Sequence, residues 1–258
     1  MSRTDDHDAA DGSNATGYNR STYDRIWPQM SDFIRYNPGA RHRRRHVFSF
    51  LERLRFRSLL DVGCGNGELL ALIDARWPGR ALSGVDLSAV VVDADAARFP
   101  RMRFSVCDVQ TTALPGPVDV VVCSEVLEHL DDPTRALRHI RAALNVGGHA
   151  ILTTPTGKVH ATERHFGHVR HPSADELREQ CRAAGFDVVD LRSWGFPVYS
   201  FTKWATNLNP EAALDRFAGD KPYGFVEKAV STSLTALNYF NFARAGRGVQ
   251  LFALVRAR

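Results

Sequence analysis

The spacing of apolar residues changes period repeatedly along this chain. SLLDV (58–62), ALSGVD (81–86), MRFSVCD (102–108), VDVVVCS (118–124) and GHAILTT (148–154) are short, nearly continuous apolar runs, and they predict strands. Between them the pattern lengthens to the helical period near 66–76, 88–97 and 133–144. Strands apolar on both faces and joined by helices predict a parallel sheet covered on both sides. A further helix is predicted over 173–184, opened by the Ser173…Glu176 capping-box pair and closed by Gly185. FDVVDLRSW (186–194) and VQLFALVRA (249–257) supply two more strands, seven in all. No internal repeat is visible.

Four stretches follow from this pattern. Residues 1–17 are polar and rich in Gly and Asp, which predicts a disordered tail. Residues 18–56 form an N-terminal helical extension. Pro28 and Pro38 punctuate it, Asn37-Pro38-Gly39 makes a turn, and Val47, Phe48, Phe50, Leu51 and Leu54 have helical spacing. Residues 57–194 and 248–258 make the α/β core. The aromatic-rich segment 195–247 interrupts it before the last strand and reads as an acceptor lid, with plain core packing as the alternative.

Composition narrows the picture modestly. A chain of 258 residues with 44% hydrophobic and 24% charged residues suits one α/β domain with embellishments. The formal charge is only +4, so a nucleic-acid partner is not implied. The run Arg41–His46 reads first as a solvated helix face, then as a site for an anionic small acceptor, and last as a phosphate-binding patch. No aromatic residue interleaves it as a stacking platform would. Cys64, Cys107, Cys123 and Cys181 show neither a CxxC pair nor metal spacing and read as buried thiols. With no apolar run of about 20 residues and no signal-peptide core, the expectation is a cytoplasmic protein without a membrane span, monomeric or homodimeric.

Candidate chemistry collects where the strands end. Asp61-Val62-Gly63-Cys64-Gly65-Asn66-Gly67 follows the first strand and opens a helix. Glycine lets the backbone turn sharply and approach a ligand closely. Asp86 closes the second strand, where a carboxylate can accept from a ribose diol. Asp108 closes the third, placed to accept from an exocyclic adenine amine. A dinucleotide fingerprint would require Gly at 68, where this chain has Glu68. Asp61 suits a cationic amino-acid moiety and would repel a pyrophosphate.

As a set, DVGCGNGELL, GVDLS, CDV and VDVVVCSEVLEHLDDP resemble the successive motifs of class I S-adenosylmethionine-dependent methyltransferases, over about residues 45 to 194. The resemblance implies a Rossmann-like seven-stranded sheet of order 3-2-1-4-5-7-6 with the last strand antiparallel. It implies that Asp61, Gly63 and Gly65 line the methionine part of the donor, with Cys64 beside them. Asp86 and Leu87 would hold the ribose, Asp108 and the Val109 amide the adenine, and Cys123 and Ser124 would lie beside the methionine through their backbone.

On the acceptor side, Glu125, Glu128 and His129 follow the fourth strand, and a helical turn beginning at Glu125 would put all three on one face. A histidine-rich loop, 162–172, follows the fifth strand and brings His165, His168 and His171 as candidates near the acceptor. Tyr23, Trp27 and Tyr36 are further acceptor candidates, although their spacing also suits packing. EVLEH with HVRHPSADEL is similar to ubiquinone-pathway O-methyltransferases and to small-RNA 2′-O-methyltransferases. The latter resemblance implies Glu125, Glu128, His129 and His168 as ligands of Mg2+ or another divalent cation. Without a metal, His168 or His129 is the preferred general base. The leading expectation is an O-methyltransferase acting on a hydroxyl of a small metabolite. An N- or C-methyltransferase, an RNA 2′-O-methyltransferase and a non-catalytic donor-binding protein are the alternatives.

Overall fold

The computed structural model describes residues 35–217, 222–242 and 246–258, together with Gly17 and Asp24. Among them, helix α1 (Pro38–Leu51) leads into β1 (Ser58–Val62), α2 (Glu68–Arg76), β2 (Ala81–Asp86), α3 (Ala89–Arg98), β3 (Arg103–Val106) and β4 (Val118–Ser124). A short 3₁₀ turn at Leu127–His129 follows, then α4 (Pro133–Ala142), β5 (Leu144–Pro155), α5 (Ala161–His165), α6 (Ala174–Ala183) and β6 (Phe186–Trp194). The insert supplies α7 (Val198–Thr206), α8 (Pro210–Phe217) and α9 (Phe225–Leu237) before β7 (Gln250–Ala257).

The seven strands lie in the order β3-β2-β1-β4-β5-β7-β6, in a Rossmann-like arrangement. Pairing is parallel except for β7, which is antiparallel to both β5 and β6. Alternate residues of the central strands enter opposite cores. Leu60, Val121 and Cys123 pack with Leu137 and Ile140 of α4 and Leu177 of α6. Leu59, Val120 and Val122 pack with Phe50 of α1 and Leu70 and Ile73 of α2. Each such fully buried aliphatic side chain contributes about 1.5–3 kcal/mol relative to exposure. Two-sided burial is what makes the strands read as unbroken apolar runs. All four cysteines are free and buried.

Several boundaries differ from the sequence reading. Helix α2 begins at Glu68 because Gly67 stands at φ +67°, a left-handed conformation that cannot belong to the helix. Strand β3 stops at Val106, and the Cys107 amide donates to Asp86 O as the chain turns toward Asp108. Strand β5 starts four residues early, at Leu144, because an irregular register at Val118/Val120 lets it pair before the expected run. Asp132 caps α4 through the Arg135 amide, and Ser173 and Glu176 cap α6 reciprocally.

The basic run of α1 is a solvated face only in part, with Arg45 exposed. His42 and His46 are buried against Trp194, and His46 also packs on Phe252. Burial and Arg45 lower the pKa of His46 to about 4, so it is a neutral core residue. Arg43 and Arg44 turn toward the ends of the strands. Imidazole at spacing four, with apolar residues beyond, lets one helix bury a stripe that sequence polarity hides. The expected tail 1–17, but for Gly17, lies outside the described residues, as do Tyr23 and Trp27.

Candidate active site

A cavity of about 540 Å3 opens at the carboxyl ends of β1, β2 and β4, where ligands of open α/β sheets bind. One half is built by the glycine loop. Gly63, Gly65 and Gly67 all have positive φ (+71°, +53° and +67°). A Cβ on Gly63 would lie 2.4 Å from Val126 Cγ2, so no larger residue fits between the loop and the segment leaving β4. The Gly63 and Cys64 amides both donate to Val85 O, binding the loop to β2. Asp86 accepts from the Gly65 and Ser88 amides, one on each oxygen.

Three carboxylates crowd this loop. Asp61 is buried, and desolvation together with Asp86 and Asp95 raises its pKa to about 8. Asp95 of α3, not foreseen from the sequence, is likewise buried and raised by desolvation to about 7. Asp86 is also raised, chiefly by desolvation and against its backbone hydrogen bonds. Such a group favours a cationic ligand. Asp61, Gly63, Cys64, Asp86, Leu87, Asp108, Val109 and Ser124 all line the cavity. Gly65 does not line it, and its amide is spent on Asp86.

The other half begins at Ser124. Its hydroxyl bonds to Thr153 Oγ1 at 2.9 Å, and Thr153 donates onward to Glu125 Oε1 at 2.8 Å. Gln250 Nε2 donates to the same oxygen at 2.6 Å, and Arg43 pairs with Oε2 at 3.4 Å. Glu125 does not start a helical turn: its φ is +58°, and the turn begins at Leu127. The expectation that Glu125, Glu128 and His129 share a helical face is therefore corrected. Glu125 faces Thr153, Gln250 and Arg43.

Glu128 is fully buried beneath the cavity. Its Oε2 accepts from Thr154, and Oε1 has no hydrogen-bond partner among the described residues. Burial and Glu125 push its pKa well above the usual carboxylate range. His129 donates from Nδ1 to Gly167 O at 3.1 Å, which leaves Nε2 as the lone-pair nitrogen. Desolvation lowers its pKa to about 4, and that of His168 falls further. Glu128, His129 and His168 each present one ligand atom, all within 4.8 Å of one another. One carboxylate with an orphaned oxygen and two neutral imidazoles match the donor set of a divalent cation. Glu125 lies outside that trio.

His168 Nδ1 lies 2.9 Å from His171 Nε2, and His171 stands 3.9 Å from Glu163 Oε2. Glu163, His168 and His171 form a second close group, yet Lys203 Nζ already sits 2.6 Å from Glu163 Oε1. His129 and His168 line the cavity, whereas His171 stands behind His168. His165 points out, exposed, with its ring edge on Phe166. Tyr36 stays off the wall and stacks on Tyr223, which lines it.

Sequence reasoning did not single out Asn37 or Gln250 on the cavity wall; Arg43 fell within the Arg41–His46 run offered for an anionic acceptor, and Tyr199, Lys203 and Asn207 within the insert read as an acceptor lid. Gln250, a polar residue at the head of an apolar strand, carried a signal of its own.

A family model described as a methyltransferase domain matches residues 39–191. The trans-aconitate 2-methyltransferase of Deinococcus radiodurans is 28% identical over 66% of this chain and 64% of its own length. That of Methylobacterium radiotolerans is 32% identical over 42% of each chain. This chain thus spans less than two thirds of those relatives. The ubiquinone biosynthesis O-methyltransferase of Neisseria meningitidis is 30% identical over 58% of this chain and 71% of its own length. Among solved structures, the N-methyltransferase NodS of Bradyrhizobium japonicum, in complex with S-adenosyl-l-homocysteine, superposes with a TM-score of 0.59 at 16% identity. That match covers 93% of this chain and 98% of NodS. With the family model spanning more than half of its length and the seven strands in the expected order, the chain belongs to the class I S-adenosylmethionine-dependent methyltransferases.

Proposed function

We propose that this chain moves the methyl group of S-adenosylmethionine onto an oxygen of a small acceptor, with the insert 195–247 acting as the acceptor lid. The observation that carries this reading is that His129 and His168 line the same cavity as Asp61 and Asp86. Thr202, Lys203 and Asn207 of the insert line its far side, with Ser231 and Asn238. The relatives named for ubiquinone biosynthesis are O-methyltransferases by name, which supports oxygen as the acceptor atom.

Transfer is an in-line displacement: the acceptor oxygen forms a bond to the methyl carbon while the carbon–sulfur pair returns to sulfur, leaving S-adenosylhomocysteine. Asp61 and Asp86 hold the donor's amino-acid and ribose parts, and Asp108 with the Val109 amide its adenine. A hydroxyl acceptor must also shed its proton. Burial keeps the His129 and His168 imidazoles neutral, so their lone pairs can orient that hydroxyl. Glu128, His129 and His168 would hold a divalent cation, which supplies Lewis-acid acidification of an acceptor hydroxyl. Arg43, Arg44 and Lys203 give an anionic acceptor group positive partners within the cavity.

The test is incubation with methyl-labelled S-adenosylmethionine and a panel of hydroxylated, carboxylated and amine acceptors. Acceptor-dependent S-adenosylhomocysteine, with label in an ether or ester, is the expected result. Label on nitrogen or carbon overturns the oxygen assignment.

A further inference from the structure

Helices α7 and α9 of the insert turn mainly apolar residues outward, whereas the exposed residues of α8 include Glu211 and Asp215, and Leu214, Val230 and Leu234 line the cavity beside polar residues. On α7, Phe201, Trp204 and Ala205 are exposed, with Leu208 just beyond, at spacings of three, four and seven. Its polar residues Thr202 and Lys203, and Asn207 after it, turn into the cavity. On α9 the exposed positions are Phe225, Val226, Ala229, Val230, Thr232, Ser233, Ala236 and Leu237, none of them charged. Ser231 and Asn238 point inward, and Glu227 and Lys228 are half-buried. Tyr239, Phe240 and Phe242 extend the exposed face.

The surface is concentrated. Among the described residues, every exposed large aromatic side chain lies between 201 and 242, with Phe225 at 88% and Phe240 at 72% exposure. An apolar patch of this kind marks an interaction surface.

Its border is cationic. The Arg45 guanidinium stands 4.5 Å from the Tyr239 ring centre. Arg35, Arg41 and Lys228 surround the Tyr36 ring at 5.8, 5.3 and 5.2 Å. No acidic residue occurs from Arg35 to Leu51. Aromatic side chains beside Arg and Lys match the headgroup region of an anionic bilayer, where apolar burial and charge act together. A second copy fits less well, because a two-fold contact sets the same patch against itself and crowds like charges along one rim.

We propose that the outer face of α7, α9 and 239–242 docks on an anionic lipid surface, with Arg35, Arg41, Arg45 and Lys228 toward the lipid phosphates. Among the described residues no helix is long and apolar enough to cross a membrane.

The test is flotation of the full chain with vesicles of phosphatidylcholine, with and without phosphatidylglycerol. The chain is expected to float with the anionic vesicles, less so as salt rises. Trp204 emission shifts to the blue and is quenched by brominated lipid, and Trp204→Phe removes that quenching while flotation persists. Phe225→Ser with Phe240→Ser weakens partition at least about tenfold without changing the circular dichroism. Arg41→Gln with Arg45→Gln weakens it about fivefold for each charge removed. Failure to float with either vesicle overturns the proposal. So does equal binding to both vesicles, or a dimer that Phe225→Ser dissociates in a chain that binds no lipid.

Discussion

The side-chain amide of Gln250 donates to Glu125 Oε1 across 2.6 Å, joining the first residue of β7 to the residue that leaves β4. Thr153 shares that oxygen, and Arg43 pairs with the other. Together these partners hold Glu125 at φ +58°, a conformation that costs a non-glycine residue about 1–2 kcal/mol. Gln250→Leu removes one donor from a partly buried carboxylate and is expected to lower unfolding free energy by about 1–3 kcal/mol. Urea denaturation measures it, and a midpoint equal to that of the parent chain would show that the bond adds nothing.

Gly63→Ala combines two penalties, a left-handed φ and a Cβ 2.4 Å from Val126 Cγ2. We expect a stability loss of about 1–3 kcal/mol and at least tenfold weaker binding of S-adenosylhomocysteine by calorimetry. Val126→Ala in the same chain should recover the steric part only, because the backbone strain persists.

The pKa of Asp61, near 8 in the donor-free protein, gives binding a pH signature. The folded carboxyl holds its proton where an unfolded one would have lost it. Stability of the donor-free protein from this group is therefore present below pH 4 and lost as pH rises through 8. A cationic donor group favours the ionised form, so binding releases a proton and affinity grows with pH up to about 8. Calorimetry in buffers of different ionisation enthalpy counts the proton. Asp95 and Asp86 titrate beside it, so Asp61→Asn should reduce the pH dependence without abolishing it. Affinity constant from pH 6 to 8 would contradict this account.

Glu128 carries an orphaned oxygen within the Glu128–His129–His168 trio. A divalent ion that binds there should raise Tm, by about 2.7 kcal/mol of stabilisation at a hundredfold excess over Kd. Glu128→Gln should abolish that shift while raising the stability of the chelated protein, since an amide is less costly than an uncompensated buried carboxyl. An unchanged metal response in Glu128→Gln would remove Glu128 from the ligand set.

His46, which does not itself line the cavity, offers a structural control. Its pKa is lowered to about 4, so the stability it contributes is present above pH 6.5 and lost as pH falls through 4. His46→Phe should flatten acid unfolding between those limits, followed by circular dichroism.

Much of the glycine-loop half of the cavity was legible because its signals are local. A glycine loop needs glycine where φ is positive, and a strand buried on both faces must be apolar throughout, so Asp61, Asp86 and Asp108 stood out as polar residues closing apolar runs. Asp95 escaped notice, because an acid on a helix looks solvated until Gly67 and Phe99 are seen around it. The half built by Glu and His residues was less legible. Glu128, His129 and His168 meet only because the loop after β5 folds back, with the Val169 amide donating to Glu128 O. The Arg41–His46 run likewise concealed two buried imidazoles and two arginines turned to the cavity.

By itself, then, the sequence determined the strands, the helices between them and the glycine loop, since backbone sterics and burial period act between near neighbours, while the strand order was what the family resemblance implied. Tertiary structure decided which of the Glu and His residues converge, that Glu125 faces Gln250 rather than Glu128, and that α7 and α9 turn aromatic and aliphatic residues outward. Those outcomes depend on contacts between residues 38 to 125 positions apart, and no local pattern records such distances.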